Sequence, residues 1–150
     1  MTLEELLDAW RVNNAVNLEI LAAIADEDFE LKPGKGKTIR SNFVHIIGVR
    51  RMLLEEKMPK EAATVPKLDW KSAPREDIQA ALEHSSKLMQ HLFTLRESKP
   101  GKGAWTTLKF FAYCVAHEAH HRSQIELTMR LNGKEFSDEF GYSLWEWAKK

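Results

Sequence analysis

The chain has 150 residues, 43% of them hydrophobic and 29% charged, which is typical of one domain large enough to bury a single core. Lys and Arg together number 22, as do Asp and Glu, so there is no net charge to attract nucleic acid or an anionic membrane. The single cysteine excludes an internal disulfide, and neither a signal sequence nor a membrane-spanning apolar run is present, so we expect one cytoplasmic domain over residues 1–150.

The first predicted helix runs from Leu3 to about Ala25. Thr2 and Glu5 have the spacing of a capping box, which satisfies backbone donors in the first helical turn. Apolar residues then recur at three- and four-residue steps, and Asn14 and Asn17 interrupt this stripe. A polar group there could line a cavity, but we interpret both asparagines as boundary positions in contact with water.

The second predicted helix begins after a loop at residues 26–37, which contains Pro-Gly-Lys-Gly-Lys. This loop lacks the full spacing of a phosphate-binding loop and follows no strand, so we interpret it as a solvated connection. Thr38 is the expected cap, and the helix should run to about Lys57. His45 lies on or beside its inward apolar stripe.

Residues 58–73 show no helical period and predict a long connection. Its length allows the chain to cross the whole bundle, so the second and third helices can run parallel. Pro74 suits the first position of the third helix, which should end near Glu97. His84 and His91 lie on its flank, and we interpret them as boundary or surface residues.

A turn at residues 98–103 precedes the fourth predicted helix, from about Trp105 to Leu131, closed by Asn132-Gly133. Both sides of this helix carry apolar residues. The tail, residues 135–150, is too aromatic to extend freely into water and should dock on the bundle or on a partner chain. The sequence therefore predicts an all-α four-helix bundle with a long crossover and a docked C-terminal tail.

The clearest chemical pattern is His117-Glu118-Ala119-His120-His121 in the fourth helix. At 3.6 residues per turn, His117 and His121 differ by roughly 40° around the axis, so both imidazoles leave one face. Two imidazoles at this spacing can chelate one divalent transition metal. A solvated basic face is the simpler interpretation, but paired spacing within a histidine cluster favours a metal site.

The same residues match the His-Glu-x-x-His pattern of zinc proteases, in which Glu118 would be the general base. This interpretation is disfavoured because no histidine follows His121 and no strand is predicted to bind a peptide. The third ligand must then come from elsewhere, and His45 is the candidate. Cys114, one turn before His117, is a thiolate option, although a buried cysteine is more often a small hydrophobe.

Three segments together resemble the DinB-like (YfiT-like) metalloenzymes: residues 32–40 with 43–45, residues 117–125, and residues 142–147. The resemblance spans nearly the whole chain and implies a four-helix bundle, homodimers and a bound nickel- or zinc-type divalent ion. In that family one histidine of the second helix and two of the fourth hold the metal, which implies His45, His117 and His121 here. Ser123 stands where the family often has glycine.

The leading functional hypothesis is a metal-dependent enzyme with an open three-histidine site and a small-molecule substrate. The resemblance adds group transfer to or from a low-molecular-weight thiol. Gln124, one short turn beyond His121, is the candidate for orienting a ligand or substrate. A non-catalytic, stress-responsive bundle that binds a metal or a partner, and a metal-dependent hydrolase, remain as alternatives. Glu118, His120 and Cys114 are left without an assigned role.

Overall fold

The computed structural model describes residues 1–99 and 103–150, and this part of the chain contains six α-helices and no strand. The predicted all-α class is therefore confirmed. None of the described helices is both long and apolar enough to span a bilayer. Four helices are long, namely α1 (Leu3–Ala23), α2 (Ile39–Glu55), α4 (Arg75–Ser98) and α5 (Thr107–Leu131), and two are short, α3 (Pro59–Ala62) and α6 (Asp138–Ser143).

The long helices form a bundle in which α1 and α2 each pack mainly against α4 and α5. Trp10 Nε1, in α1, donates a hydrogen bond to the Ser86 carbonyl of α4 at 3.1 Å. The Trp10 and Phe93 rings meet edge to face with centroids 5.2 Å apart, and Phe93 contacts Phe110 near the start of α5 at 5.9 Å. These aromatic contacts join α1, α4 and α5 in one core.

The predicted crossover is confirmed by hydrogen bonds between α2 and α4. Arg40, at the start of α2, donates to the Ala73 carbonyl just before α4, at 3.0 Å. Further along both helices, Arg50 donates to the Leu82 carbonyl at 2.9 Å. The two helices therefore run parallel, joined by a connection that contains α3. The sequence pattern did not predict α3 because four residues are too few to display a helical period.

The helix ends follow the local signals in the sequence. Thr2 and Glu5 form the predicted capping box, and the Thr38 side chain caps α2. Gly133, with φ of +71°, ends α5 in the left-handed conformation that glycine adopts without steric cost. Pro74 has an extended backbone and precedes α4, one residue outside the predicted position. The predicted turn at 98–103 includes residues 100–102, which lie outside the described residues.

The polar residues of α1 differ from the prediction. Asn17 is fully buried and Asn14 is 7% exposed, so the boundary interpretation is wrong for both. Asn13, which the apolar pattern did not single out, is also fully buried. Burial of an amide is costly unless it is hydrogen-bonded, and for Asn13 and Asn17 the partners come from α5, 101 or more residues away in sequence.

The C-terminal tail docks on its own bundle. Leu144 is 5% exposed and packs in the core, and Lys150 forms an ion pair with Glu19 of α1 at 2.6 Å. Tyr142 and Trp145, in the same segment, are 76% and 81% exposed. The tail is thus attached through Leu144 together with the partly buried Phe136 and Phe140, and it presents two aromatic side chains to solvent.

Candidate metal centre

The structure brings together the three histidines that the sequence analysis singled out. His45, His117 and His121 each offer one ligand nitrogen, and these nitrogens all lie within 4.8 Å of one another. The ring centroid of His45 is 4.5 Å from that of His121 and 5.4 Å from that of His117. Such a group of imidazoles can hold one divalent ion after small rotations of the rings, since Zn–N bonds are about 2.0–2.1 Å long.

Helix geometry explains the cluster. His117 and His121 are one turn apart on α5, which runs without glycine or proline through this segment, and their ring centroids are 4.7 Å apart. His45 comes from α2, which packs against this face of α5. The spacing in sequence thus supplies two of the groups, and the packing of two helices supplies the third.

Asn42 orients the imidazole of His121. The Asn42 side-chain amide Nδ2 donates to the Thr38 carbonyl at 3.0 Å, which leaves its Oδ1 as an acceptor. This oxygen lies 2.8 Å from Nδ1 of His121, so Nδ1 carries the proton and donates it. The lone pair of His121 is then on Nε2 and is free to bind a metal, as in many metal sites whose second ring nitrogen is hydrogen-bonded.

Sequence reasoning did not assign this role to Asn42. It precedes His45 by three residues on the buried side of α2 and is 2% exposed. A buried asparagine one short turn before a candidate ligand was the available signal, but its partner on α5 is 79 residues away. That partner could not be identified from spacing alone.

The electrostatic environment keeps the histidines uncharged at neutral pH. Burial lowers the pKa of His121 to about 4, with further lowering from neighbouring His45 and His117. Burial also lowers the pKa of His45, and the nearby ammonium of Lys37 adds to this effect. For His117, burial lowers the pKa and outweighs the opposing charge of Glu118. Neutral imidazoles are the protonation state that metal binding requires.

Glu118 lies on a different face of α5 and does not join the cluster. It is 2% exposed, and its carboxylate accepts hydrogen bonds from Arg50 Nε at 2.7 Å and Arg50 Nη2 at 2.9 Å. Asn13 and Asn17 each donate to the same carboxylate at 2.8 Å. Burial alone would raise the pKa of Glu118, but Arg50 and these hydrogen bonds outweigh it and lower the pKa.

This arrangement excludes Glu118 as a protease-type general base, in agreement with the sequence analysis. A general base must be within reach of the substrate proton, and the lone pairs of Glu118 are directed at Arg50, Asn13 and Asn17. Arg122, one turn further along α5, belongs to the same network and donates to Asn17 Oδ1 at 2.8 Å. The network holds α1, α2 and α5 together.

The remaining candidates do not belong to the three-histidine group, although the His120 ring lies 5.2 Å from that of His121. Cys114 is buried, and burial raises its pKa to about 12, as expected for a small core residue. Gln124 is partly exposed, and its backbone carbonyl accepts a hydrogen bond from Thr128 at 2.7 Å. The structure places the other histidines and Ser123 at or near the surface: His120, His91 and Ser123 are exposed, and His84 is 2.7 Å from the Thr64 hydroxyl.

The fold and the cluster define a helical bundle with a candidate three-histidine metal centre between two of its helices. The family model described as the DinB family matches residues 1–138. The chain therefore belongs to the DinB family, and the resemblance noted in the sequence is confirmed. A search of curated proteins and a search of solved structures found no match.

Proposed function

We propose that this protein is a metal-dependent enzyme whose divalent ion, zinc or nickel, is held by His45, His117 and His121. The observation that carries this proposal is the convergence of three neutral imidazoles from two helices. The donor set fits such an ion because nitrogen ligands suit zinc and nickel. His45 and His117 are partly exposed, so small molecules can reach the cluster.

The protein residues around the cluster favour catalysis over a purely structural metal. Three protein ligands leave a coordination position vacant, whereas structural zinc sites usually have four. A bound divalent ion would supply Lewis acidity, which lowers the pKa of a coordinated thiol or water. Glu118, the residue after His117 on α5, is ion-paired with Arg50, and within the described residues the group of candidate ligands contains no carboxylate that would reduce the positive charge of the site.

We propose group transfer to or from a low-molecular-weight thiol as the reaction. In such a step the thiol sulfur forms a bond to an electrophilic carbon, the leaving group departs with the bonding electrons, and the thiol proton passes to solvent. Cys114 is not the nucleophile, because a thiol with a pKa of about 12 is protonated at neutral pH. The thiol must then arrive from solution. Gln124 stays the candidate for orienting the substrate.

The metal site is tested by elemental analysis of purified protein under competition with a chelator. We expect about one divalent ion per chain in the wild type, and a large loss of affinity in His45→Ala, His117→Ala and His121→Ala, since each removes one of three ligands. His91→Ala is the matched control because His91 is exposed. Full metal loading of His45→Ala would show that α2 does not provide a ligand.

The reaction is tested with a panel of small thiols against activated halides and epoxides, using metal-loaded and metal-free protein in parallel. We expect turnover that is lost on chelation or in His121→Ala and retained in Cys114→Ala. Equal rates for the two forms across the panel would refute thiol transfer. Metal-dependent hydrolysis of small esters, or metal binding without turnover, would then be the function to pursue.

We also propose a homodimer, supported by the exposure of Tyr142 and Trp145 beside the anchored Leu144. Light scattering at micromolar concentration should give twice the chain mass. The double variant Tyr142→Ser, Trp145→Ser keeps the anchor and should dissociate the dimer if the tail forms the interface. A monomer mass for the wild type would contradict the proposal.

A further inference from the structure

The outer face of α5 carries an uncharged, mostly apolar stripe along most of the helix. Its members recur at three- and four-residue steps and are all exposed: Leu108, Ala112, Ala116, Ala119, Ser123 and Leu127. With 3.6 residues per turn, they occupy about 100° of the helix surface, opposite buried Cys114 and Ile125. We call these six residues the outer stripe. Leu108 and Leu127, at its ends, are 51% and 40% exposed.

The outer faces of two other long helices are different. Helix α1 exposes Asp8 and Arg11, and α4 exposes Glu76, Glu83 and Lys87. Such charged residues at helical spacing are typical of a face that contacts water. Helix α5 instead has apolar residues on both its buried side and its outer side, and a helix of this kind is normally covered on both. The outer stripe is therefore a helix face without a partner in the described chain.

The order of residues in the outer stripe indicates which partner fits it. Its midpoint lies between His117 and Glu118, and on each side of this point two small residues are followed by a leucine. A second copy of α5, laid antiparallel across a two-fold axis at the midpoint, therefore presents matching residues at every level. The resulting pairs between the copies are Leu108 with Leu127, Ala112 with Ser123, and Ala116 with Ala119. Small residues at the centre allow the two helices to approach closely.

Two charged residues beside the outer stripe have the same symmetry. Lys109 follows Leu108 and Glu126 precedes Leu127, so the antiparallel arrangement places Lys109 level with Glu126 of the second copy, once at each end. Both are exposed, and among the described residues neither forms an ion pair within its own chain. A parallel arrangement about the same axis direction would place like charges together instead. Complementary charges of this kind set the partner and its register.

The exposed aromatic side chains of the tail continue this surface. Tyr142 and Trp145 line a small cavity together with Glu126 and Arg130 of α5. The tail thus lies beside the C-terminal end of the outer stripe. In the antiparallel arrangement this end meets the start of α5 of the second copy, so the tail and the outer stripe belong to one continuous surface.

We propose that α5 packs antiparallel against α5 of a second copy of this chain, about a two-fold axis at the middle of the outer stripe. This inference rests on the proposed homodimer and assigns its interface. The contact is isologous, so each copy contributes the same residues. His117 lies about 130° around α5 from the centre of the outer stripe. The dimer therefore leaves the histidine cluster of each copy uncovered.

The interface is tested first by sedimentation of the full chain over a range of concentrations, which measures the dissociation constant of the dimer. Ala116→Arg places two guanidiniums at the centre of the contact, and we expect it to raise the dissociation constant more than about 100-fold. Ala80→Arg is the matched control, because Ala80 is an exposed alanine of α4. Helix content by circular dichroism and zinc affinity should stay unchanged in both variants, since both positions are exposed.

A charge exchange tests the pairing. Lys109→Glu and Glu126→Lys should each raise the dissociation constant by about 3- to 10-fold, because each places like charges at both ends of the contact. The double variant restores opposite charges and should return the dissociation constant to within about twofold of the wild type. Lys87→Glu, an exposed lysine of α4, is the matched control and should have no effect.

Cross-linking with a short bismaleimide tests the antiparallel register in a Cys114→Ala background. Leu108→Cys and Leu127→Cys should not cross-link singly, because like positions of the two copies are about 28 Å apart in this register. The double variant Leu108→Cys, Leu127→Cys should give a covalent dimer. In a parallel register each single variant would cross-link.

Three results would overturn the inference. The first is a dimer of wild-type affinity in Ala116→Arg, which would leave the homodimer in place but move its interface elsewhere. The second is cross-linking of the single cysteine variants as fully as the double variant. The third is a charge-exchanged double variant no tighter than the single variants. A monomeric wild type would refute the homodimer and this interface together, whereas the metal site is tested separately by elemental analysis.

Discussion

Helix α5 carries two polar faces. They differ in how many of their polar side-chain groups form hydrogen bonds or ion pairs within the protein. On the ion-paired face, Glu118 accepts hydrogen bonds from Arg50 and from two asparagines of α1. On the histidine face, Asn42 holds one nitrogen of His121, and in the described chain the side chains of His45 and His117 make no hydrogen bond. Each of the three imidazoles offers one ring nitrogen, and these nitrogens converge from two helices, which indicates a place for a ligand.

The ion-paired face and the histidine face also differ in charge. The ion-paired face carries full charges, with the Glu118 carboxylate near the guanidiniums of Arg50 and Arg122, and these interactions stabilise the packing of α1, α2 and α5. The histidine face carries neutral donors that become useful when a cation is present. One helix thus supports the fold with one face and offers a ligand site with another, and substitutions on the two faces should have separable effects.

The largest effect is expected on the ion-paired face. Arg50→Ala leaves Glu118 buried without its cation, which should lower the free energy of unfolding by about 3–5 kcal/mol. Urea denaturation of the metal-free protein measures this. Arg51→Ala is the control, because Arg51 is partly exposed and its ion pair with Glu55, at 3.5 Å, lies at the surface. Equal losses in the two variants would show that the buried pair has no special role.

The pH dependence of the free energy of unfolding should show that Glu118 is ionised in the folded protein. Its pKa is lowered in the folded state, so the unfolded state takes up the proton first as pH falls. The contribution to stability is complete above the unfolded-state pKa of about 4.3 and is lost as pH falls through the folded-state value. Glu118→Gln should cost about 2–3 kcal/mol at pH 7.

The measurement is urea denaturation of wild type and Glu118→Gln at several pH values between 7 and 3. The difference in free energy of unfolding between the two proteins should narrow at the acidic end of the series. A difference that stays constant over this range would mean that the pKa of Glu118 is the same in the folded and unfolded states, and a difference that widens as pH falls would mean that Glu118 is protonated in the folded protein.

The local features of the fold were predictable from sequence, whereas the hydrogen bonds and ion pairs of polar side chains between helices were not. Thr2 with Glu5, Thr38 and Gly133 set helix ends through interactions within a few residues, so the predicted ends of the long helices agree within two residues. Likewise, the spacing of His117 and His121 is a property of one helix.

The polar contacts that the sequence did not predict depend on partners from another helix. Asn17 was predicted at a boundary because its partners, Glu118 and Arg122, are more than 100 residues away. Arg50 was not singled out for the same reason, since its ion pair with Glu118 spans 68 residues. The same reason applies to Asn42 on the histidine face, because its partner, His121, is 79 residues away. Propensity and periodicity report on one element at a time, whereas burial of polar groups depends on pairs of elements.

A smaller effect is expected from removing the hydrogen bond between Asn42 and His121, which orients the His121 ring. Asn42→Ala removes the acceptor for Nδ1, so the ring can rotate or change tautomer, and zinc affinity should fall by about 10- to 100-fold. Asn42→Asp keeps an acceptor and should retain most of the affinity. Competition with a chromophoric chelator measures both. Asn14→Ala is a control, as Asn14 is also nearly buried but belongs to α1, which provides none of the three histidines. Unchanged affinity in Asn42→Ala would remove Asn42 from the site.

The smallest effect is expected for Cys114, which lies one turn from His117 but belongs to the core. Its burial and raised pKa, about 12, predict a thiol that neither binds the metal nor reacts at neutral pH. Cys114→Ala should therefore leave zinc affinity unchanged and lower the free energy of unfolding by about 1 kcal/mol, the cost of removing one small buried group.

A thiol-specific chromogenic reagent should modify the native protein slowly and the urea-unfolded protein at once. Rapid modification of the native protein, slowed by zinc, would instead place Cys114 on the histidine face and make it a fourth ligand, which would turn the open site into a closed one.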